Sequence, residues 1–230
     1  NSGTLKYVSI RHTGTAVSPG NELQGLTMGG VGSGTVIENI ELIGSEDDGI
    51  EIFGGAVNVT NIVIANFDDD GIDLDQAYDG TISNAVVIMA PGSDTVFEID
   101  GTEEPNNAIV GEYTIKNVTA YGRSDAAKFD TFGNWKSDAT GFNENVLFVD
   151  FPASTTLGGI DSDTYDGAGT APIEGKLNFK DFIVVTSDSK ATVVGGQVDE
   201  ASATWISVST TRPSSKGADE SVFGWTQFFN

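Results

Sequence analysis

Clustered carboxylates are the side chains of this chain whose type and spacing could do chemistry. The segment NFDDDGIDLDQ, residues 66–76, holds five of them within eight positions: Asp68, Asp69, Asp70, Asp73 and Asp75. A shorter segment, EDDGIE at residues 46–51, repeats the pattern. Calcium is a hard cation that accepts six to eight oxygen ligands in irregular geometry, and carboxylates are among the oxygens it prefers. The two segments therefore favour a calcium site.

The rest of the composition excludes most other chemistry. Cysteine is absent and His12 is the only histidine, so thiolate and multi-histidine metal centres are ruled out and a Ser-His-Asp triad is disfavoured. The chain has 34 acidic and 11 basic residues, a net charge of −23, and no Lys or Arg between Arg11 and Lys116. This charge repels nucleic acids and anionic membranes, so we expect neither as a partner, and no membrane-inserting segment is evident.

A recurring asparagine marks the repeat that must position the carboxylates. It follows β-branched residues in five segments, and a different residue takes its place in two more: Asn39, Asn61, Asn84, Asn117 and Asn145, with Tyr7 and Asp181. The steps along the chain are 32, 22, 23, 33, 28 and 36 residues, a base period near 22 with loop insertions. Such a period is too short for a strand and a helix with two loops, so it predicts an all-β solenoid.

The solenoid is expected to have about seven coils stacked at the strand spacing of about 4.8 Å. Residues two before, one after and three after the asparagine are mostly apolar, as at Ile37, Ile40 and Leu42, and should face the core. The asparagines, one per coil at the same corner, would form an internal ladder of side-chain amides bonded to one another. Val63, Val86 and Ile183 fall at outward positions, which indicates that a loop or a neighbour covers one sheet face.

We expect a single domain over residues 1–230, with regular coils in 1–152. Residues 153–230 would hold the last coils, long loops and an aromatic C-terminal cap formed by Trp205, Phe223, Trp225, Phe228 and Phe229. Residue 4 already enters the first coil, so we expect either that upstream coils have been removed or that the open end pairs with another copy, as in a filament, or with an adjacent domain. The first residues, NSGTLKYVSI, lack Met, which favours a segment of a longer exported protein.

The repeat resembles the right-handed parallel β-helix of the pectate-lyase-like superfamily, with its asparagine ladder and DDGI turns. Three segments are similar to secreted bacterial surface proteins, many from type IX-secreting bacteria: NSGTLKYVSIRHTGTAVSPGNELQGLTMGGVGSGTVIENIEL, SEDDGIEIFGGAVNVTNIVIANFDDDGIDLD and FGWTQFF. The resemblance implies an extracellular or cell-surface module with a structural or adhesive role, for which surface glycans are a candidate partner. It supplies no catalytic residues.

Aligning the repeats stacks carboxylates on carboxylates. Two unit charges at strand spacing repel by about 3–4 kcal/mol at an effective dielectric near 20, so three or four stacked levels favour a counter-ion. We predict Ca²⁺ as that ion and the following residues as its ligands: Asp47, Asp48, Glu51, Asn66, Asp68, Asp69, Asp70, Asp73, Asp75 and Glu98. The alternative is a solvated acidic face that keeps the rod soluble.

One stretch also matches the first half of a calcium-binding loop. Asn66, Asp68 and Asp70 stand at positions one, three and five, and Gly71 stands at position six. The closing glutamate is replaced by Ala77, so a helix-loop-helix calcium site is not predicted and neighbouring coils would have to complete the ligand shell. The segment DSDTYDG, residues 161–167, is a second candidate loop.

A polysaccharide lyase or glycoside hydrolase is the alternative function. Paired carboxylates could act as acid and base on a glycosidic bond, although adjacent residues of one strand point to opposite faces. A lyase also needs a basic residue, and the interval 12–115 offers none beside the most acidic coils. We therefore predict no catalytic residues.

Overall fold

The fold is described by a computed structural model covering residues 2–18, 22–102, 111–123, 131–160 and 177–229. Regular structure in these residues is almost entirely β, and none of their helices is long and apolar enough to cross a membrane. The strands are β1 (Thr4–Thr13), β2 (Leu26–Val31), β3 (Val36–Ser45), β4 (Ile50–Gly55), β5 (Asn58–Ala65), β6 (Ile72–Asp75), β7 (Thr81–Ile88), β8 (Phe97–Asp100), β9 (Tyr113–Tyr121), β10 (Thr131–Lys136), β11 (Gly141–Val149), β12 (Thr156–Ile160), β13 (Leu177–Val185) and β14 (Ile206–Ser209). The helices are α1 (Lys190–Val194) and a 3₁₀ turn (Glu220–Phe223).

The strands form two parallel sheets that the chain visits in turn. One sheet has the order β1-β3-β5-β7-β9-β11-β13-β14, and the other has the order β12-β10-β8-β6-β4-β2. One odd and one even strand make one coil, so coils 1 to 6 run from β1 to β12, and β13 begins coil 7. This is a parallel β-helix of about seven coils, as the repeat predicts.

The predicted inward positions form the core. Ile37, Ile40 and Leu42 are buried, as are the residues that pair with them in the following coils. Aromatic side chains enlarge the core in the later coils, where the rings of Phe132 and Phe148 lie 4.2 Å apart. Burial of a continuous apolar column along all coils is the main stabilising term of such a rod.

The asparagine ladder is confirmed, and it marks a backbone corner. Asn61 Nδ2 donates to Asn39 Oδ1 at 3.0 Å, and Asn84 Nδ2 donates to Asn61 Oδ1 at 2.7 Å. In coils 5 and 6, Asn145 Nδ2 donates to Asn117 Oδ1 at 2.8 Å. All seven ladder positions have φ between 54° and 59°, the left-handed region that Asn tolerates better than most residues. The corner interrupts the strand alternation, so residues on both sides of it face the core.

The two ends of the rod differ. At the C-terminal end, α1 is capped by Ser189 and ends at Gly195, and it packs against β12 and β14 with Val193 and Val194 in the core. At the other end, β1 is the outermost strand of its sheet, and its core-facing residues Val8 and Ile10 are only half-buried. Among the described residues, no strand pairs with the outer edge of β1.

The C-terminal segment departs from the predicted aromatic cap. Trp205 does lie at the last coil, stacked on Phe179 with the ring centroids 4.6 Å apart. Residues 210–229 instead run back along the outer face of the eight-stranded sheet, where Phe223 packs on Val63 and Val86. Both valines are fully buried, which confirms that this outward face is covered. The cover is a segment of the same chain.

The ladder yields a paired mutational test at Asn61. Asn61→Ala removes the bonds to Asn39 and Asn84 and also forces a left-handed alanine, so we expect a loss of about 2–4 kcal/mol in the free energy of unfolding. Asn61→Gly removes the same bonds without the conformational penalty and should lose about 1–2 kcal/mol. Urea denaturation measures both, and equal losses would show that the left-handed corner carries no cost.

Candidate metal centre

Acidic residues form three columns where the chain enters the six-stranded sheet in coils 2, 3 and 4. Glu51, Asp73 and Glu98 are register partners on β4, β6 and β8 and make the strand column. Two further columns lie in the turns that lead into these strands. The residues of the inner turn column stand three positions before those of the strand column, and the residues of the outer turn column stand four positions before them. The inner turn column is Asp48, Asp70 and Thr95, and the outer turn column is Asp47, Asp69 and Asp94.

Glycine fixes the turns that carry these residues. A side chain at Gly49 would collide with Ile64, and one at Gly71 would lie 2.8 Å from Val87 Cγ1. Both turns therefore press directly on the core side chains, which only glycine permits. The preceding aspartates, Asp48 and Asp70, are thereby held close to the strand column.

The inner turn column links successive coils. Asp48 Oδ1 accepts from the backbone N–H of Asp70 at 2.9 Å, and Asp70 Oδ1 accepts from the backbone N–H of Thr95 at 2.8 Å. The Thr95 hydroxyl also donates to Asp70 Oδ1 at 2.5 Å. One oxygen of each carboxylate thus accepts a hydrogen bond from the next coil, and Thr95 is the last residue of the column.

Three groups of carboxylates come close enough to share a cation. Within each group, one oxygen per residue lies within 4.8 Å of the others. The groups are Asp47–Asp48–Asp69, Asp48–Glu51–Asp73 and Asp69–Asp70–Asp94. Asp48 belongs to two of them and so does Asp69, so the groups join into one continuous cluster across coils 2, 3 and 4.

The group Asp48–Glu51–Asp73 is the most enclosed. All three residues are buried, and Glu51 and Asp73 are each only 7% exposed. Glu51 Oε2 and Asp73 Oδ1 are buried oxygens without a hydrogen-bond partner. Unsatisfied buried oxygens of this kind are rare and costly, and two residues of this one group each carry one. A cation bound by this group would satisfy both.

Burial and mutual repulsion oppose ionisation of these groups. Burial, with the charges of Asp47 and Glu51 nearby, raises the pKa of Asp48 to about 8. Burial and neighbouring carboxylates likewise raise the pKa of Glu51 to about 7 and that of Asp73 to about 10. The pKa of Asp70 is also raised, mainly by burial. The cluster therefore takes up either protons or a cation near neutral pH.

A lysine neutralises the strand column in coil 4. Lys136 Nζ lies 2.6 Å from Glu98 Oε1 and 3.2 Å from Asp100 Oδ2. Although burial works to lower it, the pKa of Lys136 is raised by hydrogen bonds and charge from these two carboxylates. The carboxylate of Glu98, which is the register partner of Asp73 in the next coil, is thus neutralised by a lysine of the chain itself.

Six of the ten predicted ligands come together in the cluster: Asp47, Asp48, Glu51, Asp69, Asp70 and Asp73. Among the described residues, Asp68, Asp75 and Glu98 fall in none of the three groups. The half calcium loop does not converge, because Asn66 and Asp68 are exposed, Phe67 between them points into the core, and Asp70 is buried against Thr95. The second candidate loop, with Asp161, Asp163 and Asp166, lies outside the described residues.

Asp94 is the one cluster member that the sequence analysis missed. It precedes Glu98 by four residues, as Asp47 precedes Glu51 and Asp69 precedes Asp73. The second residue of its turn is Thr95 and not aspartate, so the DDG pattern is broken there. The constant spacing of four residues between the outer turn column and the strand column could have identified Asp94 from the sequence.

Comparison with known proteins agrees with the geometry. A family model described as a pectate-lyase like beta helix domain matches residues 1–229. Neither a curated protein nor a solved structure matches the chain. Because the family model spans nearly the whole chain, the chain belongs to that family.

The buried carboxylates predict an unusual pH dependence for protein kept in chelator. Folding raises the pKa values of Asp48, Glu51 and Asp73 above their ordinary values of about 4, so it favours the protonated forms. This stabilisation is complete below about pH 4 and is lost between that pH and the raised pKa values of about 7 to 10, by about 1.4 kcal/mol per pH unit for each group. We expect the urea midpoint to fall from pH 6 to pH 9.

A matched pair of variants separates the cluster from the general negative charge of the protein. Asp73→Asn removes one buried carboxylate and should flatten the pH profile, whereas Asp68→Asn removes an exposed one and should leave the slope unchanged. Equal slopes in the wild type and both variants would contradict the assignment of this pH dependence to the cluster.

Proposed function

We propose that this member of the pectate-lyase-like β-helix family is an extracellular structural or adhesive module whose coils are tied together by calcium. The observation that carries the proposal is the buried group Asp48–Glu51–Asp73, where two carboxylate oxygens lack a hydrogen-bond partner. A solvated acidic face would leave such oxygens in contact with water.

The donor set fits calcium better than other ions. The cluster offers carboxylates without cysteine, and zinc or copper sites use thiolate or imidazole ligands. Two ligands come from strands and one from a turn, an irregular arrangement that suits calcium, whereas magnesium requires near-ideal octahedral geometry. Asp48 and Glu51 lie in coil 2 and Asp73 lies in coil 3, so an ion held by all three would bridge two coils.

A bridging ion matters because of the way a solenoid is stabilised. Each coil contacts mainly its neighbours, so stability is close to a sum of coil terms and interface terms. A cation between coils 2 and 3 changes the interface from repulsive to attractive. Since Asp48 and Asp69 are shared between groups, further ions would extend the same effect to coil 4. Extracellular calcium is abundant enough to fill weak sites, which supports an exported location.

The exposed N-terminal end supports a role in assembly. The edge of β1 and the half-buried side chains of Val8 and Ile10 would be covered by a further coil, which would continue the parallel ladder. The opposite end is covered by α1, so pairing is proposed for the N-terminal end alone. The proposed partner is a coil of a second copy or of an adjacent domain.

Calcium binding is tested by thermal unfolding. Calcium at a hundredfold excess over its dissociation constant should add about 2.7 kcal/mol of stability and raise the melting temperature, and magnesium should add less. Asp73→Asn should abolish most of the calcium-dependent rise, and the matched variant Asp68→Asn should keep it. A melting temperature that EDTA and calcium leave unchanged would sink the proposal.

Association through the N-terminal end is tested by sedimentation equilibrium over a wide concentration range. If a second copy is the partner, the wild type should show reversible self-association. Val8→Lys, which places a charge on the open end of the core, should abolish it, while Thr4→Lys on the exposed side of the same strand should not. A wild-type protein that stays monomeric throughout would exclude the second copy as the partner.

Carbohydrate cleavage is the alternative function, favoured by the family and by the Glu51 pKa of about 7, which suits a general acid. Against it, Glu51 and Asp73 are buried, and a catalytic acid must come within hydrogen-bond distance of the glycosidic oxygen. Incubation with a panel of acidic polysaccharides discriminates the two functions. New unsaturated ends or reducing sugars would establish the enzyme, and their absence together with calcium-dependent stability supports the structural module.

A further inference from the structure

Side chains of three adjacent strands hold the start of the C-terminal segment by its backbone. Asn145 of β11 accepts from Gly217 N at 3.0 Å and donates to Gly217 O at 3.1 Å. Thr119 of β9 accepts from Ala218 N at 2.9 Å. Asn84 of β7 then accepts from Asp219 N at 2.7 Å and donates to Asp219 O at 3.3 Å. Three successive residues of the segment thus cross three successive coils, and two of the anchors are ladder asparagines.

An apolar anchor follows in coils 3 and 4. Phe223 is fully buried against Val63 of β5 and Val86 of β7, and its ring lies 5.8 Å from that of Phe229. Thr226 donates its hydroxyl to Phe223 O at 2.8 Å, which folds the chain around the ring. Burying a phenylalanine is worth about 2–3 kcal/mol, so this contact contributes substantially to the attachment of the segment.

The tip of the segment is fixed to coils 1 and 2 by a buried carboxylate. Glu41 of β3 is 1% exposed and accepts from Gln227 N at 2.6 Å and from Arg11 Nη2 at 2.8 Å. Arg11 Nη1 also donates to Gln227 Oε1 at 2.8 Å. Burial works to raise the pKa of Glu41, but hydrogen bonds from Ser9, Gln227 and Arg11 outweigh it and the pKa is lowered. Glu41 is therefore a charged anchor that joins β1, β3 and the segment.

We infer that residues 210–229 form a latch that fastens the rod lengthwise and holds coil 1 in place. This goes beyond the proposed function and does not depend on calcium. Among the described strands β1 pairs with β3 alone, and its core-facing side chains are half-buried, so coil 1 makes fewer packing contacts than coil 2. The latch gives it a second attachment that runs through coils 2, 3 and 4. Opening of coil 1 is thus coupled to contacts made several coils away.

The latch also covers apolar side chains on the outer face of the eight-stranded sheet. Its release would uncover the apolar pair Val63 and Val86 on the outer face of the sheet.

The test uses the full chain with Phe223→Ala as the variant that undocks the latch and Phe228→Ala, at a partly exposed ring, as its matched control. Hydrogen exchange is followed in β1 (Thr4–Thr13) and in β11 (Gly141–Val149). Phe223 packs on β5 and β7, and β3 lies between β5 and β1. We expect at least about tenfold faster exchange in β1 for Phe223→Ala, unchanged exchange in β11, and wild-type behaviour for Phe228→Ala.

A second pair of variants tests the inference independently if Phe223→Ala fails to fold. Asp219→Pro removes the N–H that donates a hydrogen bond to Asn84, and the φ of −78° at this residue suits proline. The matched variant Asp219→Ala keeps that N–H and loses only the side-chain cap of the 3₁₀ turn. Tryptic cleavage after Lys216, followed by mass spectrometry, reports release of the latch. We expect faster cleavage and faster β1 exchange for the proline variant than for the alanine variant. Latch release that leaves β1 exchange at the wild-type rate would overturn the inference.

Discussion

The in-register stacking of parallel coils is the constraint on which the rest of this structure depends. Because every position sits about 4.8 Å above its equivalent, whatever one coil places at a site is repeated along the rod. Apolar positions become a continuous core and asparagines become a ladder. Carboxylates, placed by the same register, become columns of like charge. The first two repeat favourably, whereas the third requires neutralisation.

The described residues compensate the carboxylate columns in two ways. Backbone N–H groups of the next coil bind one oxygen of Asp48 and one of Asp70. Lys136 of coil 5 binds Glu98 of coil 4. Between these, Glu51 and Asp73 keep buried oxygens with no such partner. The proposed ion thus lies beside the carboxylate oxygens that neither a backbone N–H group nor Lys136 reaches.

The C-terminal segment adds a second direction of connection. Coil-on-coil contacts act only between neighbours, so a solenoid tends to open from its ends. A segment that crosses the strands contacts many coils at once, and here it reaches from Asn145 in coil 6 to Arg11 in coil 1. Among the described residues, α1 packs on the last coils at one end of the rod, and this segment contacts β1 and β3 at the other. The two ends are therefore suited to different roles.

The sequence by itself determined the coil period, the core positions, the ladder and the stacking of carboxylates, because each is a local pattern that the register repeats. It did not determine which oxygens meet: Asp94 joins the cluster, whereas Asp68 and Glu98 stay out of it. That depends on turn shapes set by close contacts such as Gly49 against Ile64. The path of residues 210–229 was also beyond the sequence, since its contacts with Glu41 and Asn84 span more than 130 positions and no periodicity encodes them. Only the tertiary structure brings such distant groups together.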